Sequence, residues 1–315
     1  MSIKTRVLFW AKNKNWNRIS WIIAIETAVL MVAASFFLPG GDDLYRYYIP
    51  FSNGCLDCGF IPYFAQWILW PLAHFPTNFA WPIWTLISLT GWLSLCWYLK
   101  SNPAIVLLAF PAFGQIWLGQ IDVLICVGLA LALLGKNPYV RGAGIALALI
   151  KPQFSIIAIF FLISRERHLV KVLIIPIVMA AVSLVIFGIT WPIDWITNAM
   201  NHVPPHVWRL ASIDIWPVGL ALVWLPFLFV ERGARFEAGI LISAIATPFV
   251  GVYSYIIFLV FVRKNWWIVA LSYLWFIAYP FWQEGSMRLA WILPVALLIQ
   301  MIFAKYNHRP TPTIG

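Results

Sequence analysis

The chain has 315 residues, of which 63% are hydrophobic and only 10% are charged. A soluble domain carries about 25% charged residues, so this composition excludes a water-soluble globular protein and requires lipid as the solvent. The net charge of +10 would indicate a nucleic-acid partner for a soluble protein, but here the cations cluster between apolar stretches, where they orient membrane helices, and we expect no nucleic acid.

The first predicted helix spans residues 20–39 and follows a basic segment, residues 1–19. No small-residue cleavage motif follows it, so we interpret it as an uncleaved membrane helix rather than a signal peptide. Because Lys and Arg favour the cytoplasmic side, we expect the N-terminus there. Glu26 is expected to be buried within this helix without an obvious partner, and we assign it no role.

A predicted external loop with an interfacial helix follows, residues 40–78. Its Trp-rich part, residues 61–75, is interrupted by Pro71 and is too short to cross the bilayer comfortably, so it is expected to lie in the outer interface. Cys55 and Cys58 form a lone Cys-x-x-Cys motif in this loop. Four-ligand zinc is not supported by one such pair, and we favour a local disulfide outside the membrane.

Two outward hairpins are predicted after the span 79–99, because short apolar runs meet at polar tips. The first tip is Gly119-Gln120 and the second is Lys151-Pro152. One long helix in place of the second hairpin would put the basic residues 165–171 outside, against the cation bias of short loops. The predicted arms of the hairpins are 103–118, 121–135, 142–150 and 153–164.

The rest of the chain alternates between apolar runs and short loops. We expect roughly 10–12 membrane segments, both termini in the cytoplasm and an address in the plasma (inner) membrane. Several helices are too short for a hydrocarbon core about 30 Å thick, which favours a cavity on the external face. The predicted later elements are the runs 168–189, 215–230, 236–250, 251–262, 265–282 and 288–304, an external loop at 190–214, and a Pro-rich disordered tail at 307–315.

Acidic and basic residues at the external tips are the main candidates for chemistry. Asp42 and Asp43 follow the first helix, where a carboxylate can serve as a general base or simply cap a helix in a solvated loop. Lys151 interrupts an apolar run at Pro152, and a cation at a broken helix suits a lipid phosphate, although a lysine that snorkels to the headgroups gives the same pattern.

Further polar candidates lie at the first hairpin tip and in the later loops. Gln115, Gln120 and Asp122 either bind a ligand or satisfy carbonyls freed by a broken helix, and the sequence does not separate these alternatives. Arg288, at the start of the last predicted helix, is a second phosphate candidate. The loop 190–214 also carries polar side chains, but Pro204 and Pro205 argue against a regular helix and hence against a metal site. These loop side chains are His202, His206 and Arg209.

Three of these motifs, in this order, resemble the GT-C integral-membrane glycosyltransferases, and most closely glycosyltransferase family 87, the polyprenyl-phosphate-mannose-dependent type. They are Asp43-Leu44-x-x-Tyr47, then Gly119-Gln120, then residues 144–152 with Lys151-Pro152, before a basic cluster. Asp122 stands where the resemblance leads us to expect Asn.

The resemblance implies a GT-C-like fold and a sugar transfer on the extracytoplasmic side. A mannose-like hexose would move, with inversion, from a polyprenyl-phosphate sugar to a hydroxyl of a lipid or glycan acceptor, among membrane lipids and without a required cofactor or metal. Asp43, with its neighbour Asp42, would be the catalytic base, and Lys151 would hold the donor phosphate. Arg288 is added as a second phosphate-binding residue from its position in the chain and not from the resemblance. The expected substrate-binding residues are Tyr47, Gln120, Asp122, Gln115, His202 and Arg209.

Two alternatives use the same features without bond cleavage. A transporter of lipids or phosphosugars also has broken helices and intramembrane cations. A non-catalytic subunit with partners in a larger membrane complex is the other alternative.

Overall fold

The computed structural model describes residues 14–201, 211–261 and 266–307 of the chain. Within these ranges all regular elements are helical, and four helices are long and apolar enough to cross a membrane. The prediction of an all-α polytopic membrane protein is confirmed. The four long segments are Asn17–Phe37, Thr77–Leu99, Leu169–Phe187 and Gly285–Tyr306.

The α-helices are numbered here in chain order. The first nine are α1 (Lys14–Phe37), α2 (Ile49–Ser52), α3 (Ala65–Leu69), α4 (Ala80–Leu99), α5 (Pro103–Leu108), α6 (Phe110–Leu118), α7 (Asp122–Leu134), α8 (Pro138–Ala148) and α9 (Pro152–Ile163). The others are α10 (Leu169–Phe187), α11 (Trp191–Asn201), α12 (Ala211–Leu220), α13 (Arg232–Ala246), α14 (Ile256–Leu259), α15 (Trp267–Ser272), α16 (Leu274–Trp282) and α17 (Ile292–Asn307).

The structure differs from the predicted elements in two segments that contain proline. The run 103–118 is broken at Ala109, whose backbone is extended, because Pro111 cannot donate a helical hydrogen bond and its ring excludes the carbonyl of Leu107. The predicted interfacial helix 61–75 begins only at Ala65, as α3, and continues as the 3₁₀-helix Trp70–His74. Glu26, expected to be buried, lies on an exposed face of α1.

Small residues allow the two predicted hairpins to pack closely. A Cβ atom on Gly128 of α7 would lie 2.6 Å from the backbone nitrogen of Ala148 and 2.7 Å from the carbonyl oxygen of Gly144 in α8. Such small-residue contacts bring helix backbones together where lipid supplies no hydrophobic driving force. α9 packs along α13 in the same way, with Gly239 against the backbone of Ala158.

The direction of these helices separates the molecule into two ends. α7 runs away from Asp122 for thirteen residues, which is about 20 Å of rise, and α8 returns to the second tip. The tips 119–122 and 149–152 therefore lie at one end, which we call the tip end. The segments 135–137 and 164–168 lie at the other, which we call the basic end.

Candidate active site

A glycine with left-handed backbone docks the first hairpin tip onto the loop after α1. Gly119 ends α6 with φ of +69°, a conformation that glycine adopts without a steric cost. A Cβ atom there would lie 2.7 Å from the Cβ atom of Leu44 and 3.1 Å from the Cα atom of Gly41. The Gly41 N–H donates a 2.7 Å hydrogen bond to the Trp117 carbonyl. The motif containing Asp43 is thus held against this tip.

The side chain of Gln120 bridges an acid and a base. Its Nε2 group donates to the carboxylate of Asp43, and its Oε1 atom accepts hydrogen bonds from the Tyr48 hydroxyl at 2.7 Å and from Lys151 Nζ at 2.6 Å. Trp84 Nε1 donates to the Gln120 backbone carbonyl at 2.9 Å. Gln120 is buried, so its amide orientation is set by these partners.

Lys151 sits at the centre of the second tip. The α-helical conformation is disfavoured for the residue before a proline, and Lys151 lies outside it, with φ of −134° and ψ of 80° before Pro152. Its ammonium group lies 2.6 Å from Asp122 Oδ1, and the side chains are 7% and 0% exposed. The rings of Tyr48 and Phe154 lie 5.5 and 5.6 Å from Nζ, within the range of cation–π attraction.

Asp122 also joins the first tip to a later part of the chain. Gln115 Nε2 donates to Asp122 Oδ2 at 2.5 Å and to the Tyr253 carbonyl at 3.1 Å. Both Gln115 and Asp122 are buried. The two tips therefore meet in a network of protein groups, whereas the sequence favoured an open cavity. Most of its buried polar atoms have a protein partner, and Gln115 Oε1 is buried without a hydrogen-bond partner among the described residues.

Asp43 lies at the more exposed margin of this network, outside the four long helices. It is half-buried, and burial raises its pKa from 3.8 to about 6. The Lys151 charge opposes that rise, whereas the negative charges of Asp42 and Asp122 add to it. A carboxyl group with a pKa close to neutral pH is suited to accept a proton from a substrate hydroxyl.

Asp42, the neighbour of Asp43, has a different environment. It forms a 2.8 Å ion pair with Arg46, in which the side chains are 49% and 67% exposed. Exposed pairs of this kind contribute about 0–1 kcal/mol to stability. Asp42 therefore influences Asp43 through its charge, and no hydrogen bond joins it to the Gln120 amide in the described structure.

The structure brings Tyr48, rather than Tyr47, to this network. Residues Leu44–Tyr48 form a π-helix, whose hydrogen bonds join residues five apart, as from the Ile49 N–H to the Leu44 carbonyl. In an α-helix Asp43 would share a face with Tyr47, but the wider turn aligns it with Tyr48. Tyr47 instead packs edge-on against the Phe60 ring, 5.0 Å away. Sequence periodicity carries no signal for a single π turn.

The other predicted site residues lie elsewhere. Arg288 is exposed in the 3₁₀-helix Gln283–Leu289. His202, His206 and Arg209 fall outside the described residues, as does most of the predicted tail 307–315.

The structure bears on two further predictions, the cysteine pair and the absence of a metal site. Cys55 and Cys58 form a disulfide in the loop before α3. Within the described ranges, no three His, Cys, Asp or Glu side chains form a group suited to a metal ion.

A comparison with protein families identifies the class of enzyme. The model of glycosyltransferase family 87 matches residues 62–212. This match, over just under half of the chain, supports a membrane glycosyltransferase of the family 87 type. No curated protein and no solved structure matches the chain.

The family 87 match covers part of the network in this glycosyltransferase. It contains both hairpin tips, with Gln115, Gln120, Asp122 and Lys151, while Asp43 precedes it. The hydrogen bond from Gln120 to Asp43 is thus the physical link between the matched segment and the loop after α1. Chemically, the network offers a proton acceptor, Asp43, at its margin and a buried cation, Lys151. The side-chain amide of Gln120 lies between the two.

Proposed function

We propose that this membrane glycosyltransferase moves a hexose, of the mannose type, from a polyprenyl-phosphate sugar to an acceptor hydroxyl, with inversion at the anomeric carbon. The observation that carries the proposal is the double hydrogen bonding of Gln120, whose amide touches both the Asp43 carboxylate and the Lys151 ammonium. A base for the acceptor and a cation for the leaving phosphate are thereby held on one rigid group.

Asp43 acts on the acceptor in this proposal. Its carboxylate takes the proton of the acceptor hydroxyl as the oxygen attacks the anomeric carbon, and the bond from that carbon to the phosphate oxygen breaks. A single displacement of this kind inverts the anomeric centre. The raised pKa of Asp43, about 6, leaves it mostly ionised at pH 7 yet more basic than an ordinary aspartate.

Lys151 acts on the leaving group. Negative charge grows on the phosphate as the glycosidic bond breaks, and a fixed cation in a water-excluded site stabilises that charge. Without donor, Asp122 neutralises Lys151 at 2.6 Å. Donor binding therefore includes an exchange in which a phosphate oxygen takes one hydrogen-bond position on the ammonium, and Asp122 keeps the lysine in place beforehand.

The proposed orientation puts the tip end outside the cytoplasm and both termini inside. The basic end carries Lys136, Arg141, Arg165, Arg167 and Arg232 around the turns 135–137 and 164–168 and the start of α13. Short loops rich in Lys and Arg stay in the cytoplasm. A donor whose lipid tail lies in the plasma membrane would then present its sugar on the opposite side.

The decisive test compares Asp43→Asn with wild type in reconstituted liposomes, with radiolabelled polyprenyl-phosphomannose and a mixture of candidate glycolipid acceptors. General-base loss should lower the rate of labelled product by about 10²- to 10⁴-fold. Asp194→Asn is the matched control, because Asp194 is an exposed carboxylate on α11 that bonds Thr190.

The assay also follows the second product. Polyprenyl phosphate released in step with sugar transfer supports the proposal. Full activity of Asp43→Asn would remove the proposed base, and movement of intact donor across the bilayer without release of polyprenyl phosphate would favour the transporter alternative.

A further inference from the structure

A second site at the tip end lies outside the Asp43 network. A surface recess of about 580 Å³ lies between the end of α2 and the helical segment that comprises α3 and Trp70–His74. We call it the loop recess. Its lining combines indole rings with amides and a hydroxyl: Ser52, Asn53, Gln66, Trp67, Trp70 and His74.

We propose that the loop recess binds a neutral carbohydrate portion of the acceptor, at a distance from the hydroxyl that reacts. The proposal deepens the proposed function and rests on it, since a glycosyltransferase needs a place for the part of the acceptor that does not react.

The chemistry of the lining selects the ligand class. The lining holds no Asp, Glu, Lys or Arg, so a cationic ligand would find no counter-charge there, and a phosphate would find only the imidazole of His74. Indole rings offer flat apolar faces to the C–H face of a sugar ring, and amides offer a donor and an acceptor to its hydroxyls. That combination matches an uncharged polyol with one apolar face.

The aromatic wall is preformed by helix geometry. Gln66 and Trp70 lie four residues apart at the two ends of α3 and therefore share one face of it, and His74 joins them through its ring contact with Trp70. The rings of Trp70 and His74 lie 4.2 Å apart at their centroids, and Trp67 stacks on Phe187 at 5.6 Å. Trp70 is 58% exposed, so its indole is available to a ligand.

The amide wall is held by backbone contacts. Gln66 Nε2 donates to the Phe51 carbonyl at 3.2 Å, and Asn53 Nδ2 donates to the Ile49 carbonyl at 3.1 Å. Each amide still has a carbonyl oxygen and a second N–H to offer. Gly54, with φ of +105°, turns the chain between this wall and the Cys55–Cys58 disulfide.

The recess is connected to the proposed base by one continuous helical run. Asp43 stands at the start of the segment that passes through the π-helix Leu44–Tyr48 and α2 to Ser52. Nine residues of helix correspond to about 14 Å. A single sugar ring does not span that length, so the fitting acceptor carries at least two sugars, or a sugar on a longer headgroup.

Binding is tested directly with the purified full chain in nanodiscs, by saturation-transfer NMR titration of mannobiose, chitobiose and glycerol 3-phosphate. We expect saturable binding of at least one disaccharide, weakened about tenfold by Trp70→Ala. The matched control is Trp97→Ala on α4, another exposed indole, at 73%, which should bind like wild type. Gln66→Leu, which removes the amide at similar size, serves as a second variant if Trp70→Ala fails to fold.

The outcomes separate this proposal from the one on which it rests. Disaccharide binding lost in Trp70→Ala or Gln66→Leu and kept in Trp97→Ala supports the loop recess. No saturable disaccharide binding, equal binding in all folded variants, or binding of glycerol 3-phosphate alone overturns it, the last result indicating a lipid headgroup. Asp43→Asn should bind the disaccharide normally. The binding result can therefore stand even if the transfer assay shows that the proposed function is wrong.

Discussion

The two ends of this molecule each bury a carboxylate against a cation, yet the pairs differ in construction. At the basic end Arg141 Nη2 lies 2.8 Å from Glu166 Oε1, and the same oxygen accepts the His168 N–H at 3.0 Å. Arg141 Nη1 also donates to the carbonyls of Gly135 and Lys136. This guanidinium ties the end of one hairpin to the start of α10, as a planar fork with fixed donors can.

At the tip end the cation is a lysine. Its ammonium group donates to the side chains of Asp122 and Gln120. Unlike Arg141, it makes these contacts with side chains and not with backbone carbonyls at a helix end. A lysine presents a compact charge with donors that rotate, so one partner can be exchanged for a ligand oxygen. Burial of an ion pair therefore does not by itself mark a functional site. The partners of the cation decide whether the pair holds two elements together or can exchange one partner for a ligand.

The largest expected effect comes from Lys151→Met. A lone Asp122 carboxylate would then be buried, and breaking a buried pair costs about 3–5 kcal/mol. The variant should also lose affinity for the donor. Thermal unfolding in detergent and equilibrium binding of polyprenyl-phosphomannose measure the two effects.

A double variant separates stability from function at this pair. Lys151→Met with Asp122→Asn removes the uncompensated charge, and we expect it to regain much of the stability without regaining donor affinity. Donor affinity equal to wild type in either folded variant would refute the phosphate role of Lys151.

Arg141→Met and Arg232→Met form a matched pair at the basic end. Arg141 is 10% exposed in its pair with Glu166, whereas Arg232 is 45% exposed and lies 3.5 Å from the same carboxylate. We expect Arg141→Met to lower the free energy of unfolding by about 3–5 kcal/mol and Arg232→Met to lower it by less than about 1 kcal/mol.

Activity per folded molecule should be near wild type in both arginine variants, since this end takes no part in the proposed chemistry. Chemical denaturation monitored by tryptophan fluorescence, with transfer rates normalised to folded protein, checks both statements. Equal destabilisation by Arg141→Met and Arg232→Met would contradict the structural role assigned to Arg141.

Much of this contrast was within reach of the sequence. Apolar runs and their proline and basic breaks predicted the hairpins, because helix length and cation bias are local properties. The family resemblance directed attention to Asp43 and Lys151. The pairing of Arg141 with Glu166 was not predicted, since it joins two turns whose approach depends on how α8 packs against α10.

The hydrogen-bond network at the tip end could not be predicted from the sequence either. Gln115 and Asp122 are seven residues apart and meet only because Gly119 turns the chain between them. Tyr48 replaces Tyr47 because one π turn shifts the helix face. Both features are backbone choices of a few residues, which the period of an apolar pattern does not encode.

The smallest and most specific expected effect is the pH dependence of transfer. With a pKa of about 6 for Asp43, kcat/KM should be constant above pH 7 and fall as the base is protonated, by about tenfold at pH 5. Between pH 4 and 6 the folded chain holds more of the Asp43 proton than the unfolded chain does, so this group's contribution to the free energy of unfolding decreases as pH rises through that window.

Charge removal at the two ends should affect that pH profile differently. The positive charge of Lys151 lowers the pKa of Asp43, so in Lys151→Met, with Asp122→Asn to keep the fold, residual activity should titrate with a pKa displaced from wild type. Arg141→Met, remote by the length of α7, should leave the profile nearly unmoved, because the Coulomb interaction weakens with distance and Glu166 already offsets the Arg141 charge at 2.8 Å. A profile shifted by Arg141→Met and not by the Lys151 variant would show that the titrating group belongs to the basic end, and the base would then have to be sought near Glu166.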